Sequence, residues 1–227
     1  MEAELRRILE EGIHDILPSC SVVEFSELSN ALSKLYDEIT LFNPAYSLVN
    51  AQGQGLVVKH LLDCLAPAPI IREETSSFDV IDAADLGSGA GLPGLVLASA
   101  FPKWNLSLVE RMGRRAGFLR NTCAVMGLPK NVQVVQKDLS EVRYKYNVIT
   151  FRAFRQFKDI VFDLDRILEP NGKVFAYKSS DENVQEELDC LDELLPGVFT
   201  SKTVQYDVPF NSSKRQLLVL HKQGETD

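Results

Sequence analysis

Three glycines at alternate positions, Gly87, Gly89 and Gly91, follow the carboxylate of Asp85 and precede Leu92-Pro93-Gly94. The run Val80-Ile81-Asp82-Ala83-Ala84 leads in with strand character, and Leu95–Ala100 leads out as a helix. A strand that breaks into glycines and re-enters as a helix is a nucleotide-cofactor turn, because backbone without Cβ lets a ligand lie against it. Two details turn the reading away from a dinucleotide. The sixth position is Leu92 rather than glycine or alanine, and Asp85 puts negative charge where a pyrophosphate would sit. A ligand with a cationic end suits that carboxylate better. S-adenosyl-L-methionine, with its ammonium and sulfonium, is the expected cofactor.

In an open α/β sheet, ligands bind beyond the carboxyl ends of the strands. The residues following each expected strand are therefore the further candidates. Glu110 closes Leu106-Ser107-Leu108-Val109 and is placed to accept both hydroxyls of an adenosine ribose. Asp138-Leu139-Ser140 follows the third strand and borders the adenine, with Asp138 either accepting from the adenine amino group or capping a short helix. Arg152 follows the fourth strand, nearest the transferred group, and Lys178 follows the fifth. These two are the candidate catalytic residues, and Arg152 is also counted with the cofactor site. The Asn/Asp-Pro-Pro-aromatic motif of enzymes that methylate exocyclic amines is missing at the fourth strand. An exocyclic amine of adenine or cytosine is therefore not the expected target.

The elements that must position these groups alternate. Strands are expected at Val80–Leu86, Asn105–Glu110, Val132–Gln136, Asn147–Phe151 and Lys173–Tyr177, with helices at 92–101, 114–126, 156–168 and 180–194. Val198–Val208 and Gln216–Lys222 have only Pro209–Ser213 between them and read as a closing antiparallel pair. The fold class is therefore α/β: a doubly wound, mostly parallel seven-stranded sheet of the class I S-adenosylmethionine-dependent methyltransferase type. Ahead of it, helices are expected at 2–17, stopped by Pro18, at 25–42, ended by Asn43-Pro44, and at Gly55–Leu65. Residues 1–66 are read as an N-terminal helical cap and 67–227 as a Rossmann-like domain, with the proline-rich Ala66–Ser77 as linker. Cys20, Cys64, Cys123 and Cys190 lie far apart and away from the three histidines, so reduced thiols and no metal site are expected. No apolar run approaches a membrane span and no secretory segment opens the chain, which points to a cytoplasmic protein.

Charge is segregated. The chain carries a net −8, yet residues 103–158 hold twelve basic residues against three acids, while residues 181–193 hold seven acids and no base. A positive block beside a cofactor turn suits a polyanion such as RNA, with Arg114, Arg115, Arg120, Arg143 and Lys145 as the expected phosphate contacts.

From about Leu35 to Lys222 the chain resembles the bacterial 16S ribosomal RNA guanine-N7 methyltransferases, the glucose-inhibited division protein B family. The resemblance is carried by Leu35-Tyr36, Phe42-Asn43, His60-Leu61-Leu62-Asp63-Cys64-Leu65, Asp85–Gly94, Gly113-Arg114-Arg115-Ala116-Gly117-Phe118-Leu119, Arg152-Ala153 and Tyr177-Lys178. The sequence departs from the family pattern at Cys64, Phe151 and Ser179, and at Asp138-Leu139-Ser140, where Arg-x-Glu is common. The resemblance implies methyl transfer to N7 of a guanosine in 16S ribosomal RNA, with the small ribosomal subunit or its assembly intermediate as partner; the protein is expected to act as a monomer. The resemblance also implies that Gly87, Leu92, residues 139–140 and Arg152 line the cofactor site. Two alternatives stand beside it: a methyltransferase for an acidic small molecule, and a cofactor-binding ribosome-assembly factor that leaves guanine unmethylated.

Overall fold

The computed structural model describes residues 1–17, 24–179 and 184–224. Pro18, Cys20 and the start of the helix expected at 180–194 lie outside them. Seven strands form one sheet in the order β3-β2-β1-β4-β5-β7-β6. They are β1 (Asp82–Leu86), β2 (Asn105–Val109), β3 (Val132–Val135), β4 (Tyr146–Arg152), β5 (Leu168–Ser179), β6 (Phe199–Val208) and β7 (Asn211–Lys222). The first five pair in parallel, and β7 runs antiparallel between β5 and β6. The chain winds outward from β1 to β3, then returns to β4 on the other side of β1. That reversal opens a crevice past the carboxyl ends of β1 and β4.

The central strands are apolar because both of their faces are covered. Alternate residues feed two cores. Ala83, Leu106, Val148 and Phe175 face one layer of helices. Ala84, Ile149, Val174 and Ala176 face the other. The second layer is α8 (Phe157–Ile167) and α9 (Val184–Leu194), and α8 buries Phe157, Ile160, Val161, Leu164 and Ile167 at helical spacing. The first layer includes α6 (Gly94–Ala100) and α7 (Gly113–Met126). Against them packs α2 (Phe25–Tyr46), while α1 (Ala3–Ile16) packs on α2 and on a continuous helical stretch. That stretch comprises α3 (Gly53–Leu56), π-helical turns over Val57–Leu62 and α4 (Asp63–Leu65). Leu9, Leu32, Leu61 and Phe175 belong to one continuous core.

Several boundaries differ from the sequence expectation. The stretch read as a linker contains a helix, α5 (Ala68–Glu74). Its prolines fall at and just after the helix start, where a missing N–H costs nothing. Glu74 then anchors α5 to the sheet through Lys173 at 2.8 Å and Lys202 at 2.5 Å. Helix α2 runs through Pro44 and ends only at Ser47, whose φ of 49° reverses the chain. Asn43 secures that exit by accepting from the Leu48 and Val49 amides and donating to the Val49 carbonyl. Strand β7 begins at Asn211, so the expected loop at 209–213 shrinks to Pro209-Phe210 with Phe210 at φ 61°. Ser212, Ser213 and Lys214 are exposed, so no buried alternation marked the strand's start. Strand β1 starts at Asp82, since Val80 stands 60% exposed.

The shared core yields a direct expectation. Leu9 in α1 is fully buried, and the single tryptophan, Trp104, lies in the same core beside β2. Leu9→Ala should destabilise the transition reported by Trp104 fluorescence by about 2–5 kcal/mol, as for a buried leucine. An unchanged Trp104 transition, with a separate loss of helix at lower denaturant, would show the N-terminal helices unfolding on their own.

Candidate active site

Two cavities meet at the crevice, and Ala153 lines both. The first, about 250 Å³, is walled by Gly87, Glu110, Met112, Arg115, Asp138, Leu139, Phe154 and Arg155. The glycines take φ values of 67°, 52° and 80° at Gly87, Gly89 and Gly91, which side-chain-bearing residues avoid. Their surroundings differ. A Cβ on Gly91 would run into Leu95 and Leu119, so that glycine serves packing. A Cβ on Gly89 would meet only the Gly87 carbonyl at 3.6 Å and Arg115 Nη1 at 4.0 Å. Space is open there beside Glu110, although Gly89 itself is not in the cavity wall. Glu110 is buried at its edge, accepting from the Gly89 amide at 3.1 Å and the Met112 amide at 2.8 Å. Each carboxylate oxygen retains a lone pair for a hydroxyl. The cleft could therefore hold a nucleoside, with Glu110 available to the hydroxyls of a ribose.

Asp138 caps the 3-10 turn Leu139–Glu141, accepting from the Ser140 amide at 3.2 Å, while the Glu141 carboxylate accepts from the Asp138 amide. Its other oxygen accepts from Arg155 at 2.9 Å, across the cleft mouth. Of the two readings open for Asp138, capping is present, and the residue also stands in the cleft wall. Leu139 is buried and Ser140 is exposed.

The second cavity, about 270 Å³, is lined by Lys59, His60, Asp63, Arg152, Tyr177, Lys178, Ser179, Tyr206 and Arg215. Asp63 is its hub. One oxygen accepts from Arg152 Nη1 at 3.0 Å and the other from Arg215 Nε at 2.9 Å. Arg152 also donates to the Lys59 carbonyl at 3.3 Å and sits 2.7 Å from His60 Nδ1. Lys178 pairs with Glu187 at 2.7 Å and lies 5.3 Å from the Phe157 ring centroid. Tyr177 donates to the Cys64 carbonyl at 3.0 Å. Burial drives His60 down to about 4, with the charges of Arg152, Arg215 and Lys59 adding to it. Burial likewise raises the phenols of Tyr177 and Tyr206 above their usual range.

Six expected cofactor residues do not line the first cavity: Asp85, Gly89, Gly91, Leu92, Ser140 and Arg152. Asp85 is fully buried beneath the turn, where Oδ2 accepts from the Gly94 amide at 3.1 Å and Oδ1 has no partner. It secures the start of α6 rather than facing a ligand. Leu92, like Gly91, belongs to the packing around that start. Arg152 lies in the second cavity rather than with the cofactor cleft. The basic block also divides. Arg114 donates to the Ala45 carbonyl and lies over Tyr46, Arg115 reaches the cleft, and Arg120 donates to Gln136. Arg143 and Lys145 precede β4 and so sit toward the opposite, amino edge of the sheet. There Arg143 borders a larger cavity of about 460 Å³ with Asp82, Asn105 and Tyr144. His60 and Asp63 entered the sequence reading only within a family motif, and Arg215 not at all. The one local signal was His60 and Asp63 three residues apart in an apolar helical run, hence on one face.

The chain matches the family model for rRNA small subunit methyltransferase G over residues 28–219. A ribosomal RNA small subunit methyltransferase G from Treponema denticola is 31% identical over 226 residues, 85% of this chain and 87% of that protein. The one from Treponema pallidum is 35% identical over 199 residues, 84% of each. Among solved structures, a putative S-adenosyl-L-methionine-dependent methyltransferase from Methanococcus maripaludis superposes with a TM-score of 0.59 at 15% identity. It covers 92% of this chain and 98% of its own.

Asp85 carries a pH prediction. Burial pushes its carboxyl up to about 7 from 3.8. A raised carboxyl favours the fold while protonated, so its contribution is complete below about 4 and is lost as pH rises through about 7. Across that window Asp85→Asn should gain stability relative to wild type, by up to about 4 kcal/mol. Denaturant midpoints of both proteins at pH 5 and pH 8 check this. A difference that stays constant with pH would mean that Asp85 ionises normally.

Proposed function

The chain belongs to the rRNA small subunit methyltransferase G family, and from that premise we propose that it methylates N7 of a guanosine in 16S ribosomal RNA. S-adenosylmethionine, when bound, supplies an electrophilic methyl on its sulfonium. Glu110 and Met112 line the cleft with Leu139, so Glu110 holds the ribose, Met112 and Leu139 flank the base, and the open space at Gly89 next to Glu110 admits the ligand. Ala153 marks where the methyl passes from the first cavity to the second.

One observation supports N7 above other acceptors. Among the described residues lining the second cavity, no group is free to take a proton. Asp63 is bonded by two guanidiniums. The Nδ1 lone pair of His60 faces Arg152. Both tyrosines are held as phenols. An amine or hydroxyl acceptor must lose a proton on methylation and is served by a base. Guanine N7 is an aromatic lone pair on the major-groove edge and loses none. The work left to the protein is alignment, which is worth many orders of magnitude when two reactants are held in line. The buried Asp63 also offsets the charges of Arg152 and Arg215, which would otherwise oppose the positive charge developing on the purine.

Arg114, Arg115 and Arg120 ascend α7 from the cleft edge and are the proposed phosphate contacts. Arg143 and Lys145 serve only an RNA that reaches the far edge of the sheet. The small subunit or its assembly intermediate is the proposed partner, with the protein acting as a monomer. Among the described residues, no helix is long and apolar enough to cross a membrane, and a cytoplasmic site of action accords with a ribosomal substrate.

Gly89→Val should fold but bind S-adenosylmethionine at least about tenfold more weakly, since a branched side chain fills the open space beside Glu110. Titration calorimetry on the folded variant measures this, and wild-type affinity would remove the cleft assignment. The chemical step gives a second test. Single-turnover methylation should be flat from about pH 6 to 8.5, because no base limits it. Replacing the target with 7-deazaguanosine should abolish transfer. An acid limb, or methylation of the deaza substrate, would favour a different acceptor.

A further inference from the structure

His60 lies in the π-helical turns of Val57–Leu62, a local widening of the helix that recurs at functional sites. Its Nδ1 is 2.7 Å from Arg152 Nη2. A guanidinium has only donors, so Nδ1 must accept. The proton of the neutral ring is then on Nε2. The buried, cation-rich setting holds the ring neutral down to about pH 4. Among the described residues Nε2 makes no hydrogen bond, and the side chain is half-buried in the wall of the second cavity. Of the other donors there, Arg152 and Arg215 are engaged on Asp63, Lys178 on Glu187 and Tyr177 on the Cys64 carbonyl, the Lys59 ammonium carries a full charge, and the Tyr206 hydroxyl belongs to a buried side chain. His60 therefore presents a neutral donor of fixed tautomer beside the place where the methyl enters.

Resting on the N7 reading, we propose that His60 Nε2–H donates to O6 of the target guanine and makes this site select guanine over adenine. On the edge that carries N7, guanine shows two acceptors, N7 and O6, whereas adenine shows N7 and an amino donor. N7 must keep its lone pair for the methyl, so O6 is the one handle left on that edge. An amino group in its place sets donor against donor and leaves both unpaired in a desolvated pocket, which is a strong means of rejection. A neutral donor also avoids placing a full positive charge next to an N7 that is becoming cationic. Arg152 acts on this contact as a positioning residue, because it sets the tautomer.

The test uses single-turnover methylation of an RNA carrying guanosine, inosine or 2,6-diaminopurine riboside at the target position. Inosine keeps N7 and O6 and lacks the 2-amino group. Diaminopurine keeps N7 and the 2-amino group and exchanges O6 for an amine. Wild type should methylate inosine within about threefold of guanosine and diaminopurine roughly a hundredfold more slowly. His60→Leu should slow guanosine while leaving diaminopurine little changed, so that the guanosine-to-diaminopurine ratio falls at least about tenfold. His60→Gln should retain most of the ratio, because its amide can accept from Arg152 and still donate. S-adenosylmethionine affinity checks that each variant is folded, and the wild-type series stands even where a variant is not. An unchanged ratio in folded His60→Leu, or a wild type that methylates diaminopurine as fast as guanosine, overturns the role of His60 and leaves the N7 reading standing. A wild type that methylates no guanosine at N7 overturns that reading, and this inference with it.

Discussion

The double ion pair at Asp63 is the contact on which the site depends. It joins three elements distant in sequence: α4 through Asp63, the end of β4 through Arg152, and β7 through Arg215. All three side chains lie largely out of solvent. A buried carboxylate is tolerable only when its lone pairs are filled, and two guanidiniums fill them. Losing one partner would strand the other charges and cost about 3–5 kcal/mol, so the arrangement is held firmly. Its consequences are local and chemical. The acid in the second cavity is unavailable as a base, two cations there are partly neutralised, and Arg152 is turned so that Nη2 meets His60.

The sheet topology provides the other constraint. Reversal of winding between β1 and β4 sets the glycine turn and the end of β4 side by side. Residues just past β4 then divide the crevice. Ala153, at φ 49°, lets the chain turn sharply, so that Arg152 faces one cavity while Phe154 and Arg155 wall the other. Arg155 reaches over the cleft to Asp138 and lies 5.3 Å from the Phe154 ring centroid. Separation of the two cavities is thus a property of four consecutive residues, Arg152 to Arg155.

Much of this was legible in the sequence because it is local. The glycine turn, the acid ending β2 and the antiparallel close follow from spacing and alternation, and the family is shown by its motifs. What was misread involves contacts that no local window contains. Arg152 and Asp63 are separated by 89 residues, and Arg215 and Asp63 by 152. Asp85 has the form of a ligand-facing carboxylate, but the start of α6 closes over it and the Gly94 amide takes its oxygen. Pro67 and Pro69 looked like linker residues, since a proline that breaks a helix and one that begins it are the same residue type. Arg143 and Lys145 share a run with cleft arginines, yet the short β3–β4 connection carries them to the other edge of the sheet.

The central claim is that this two-chambered site methylates N7 of a guanosine without removing a proton. The most direct measurement incubates the purified protein and labelled S-adenosylmethionine with small ribosomal subunits from cells lacking this gene. The 16S RNA is then cleaved at N7-methylated guanosines and the label is mapped. The account predicts label at a single new N7-methylguanosine. Label on an exocyclic nitrogen or a ribose, or RNA that stays unlabelled while the protein binds the cofactor, would contradict it.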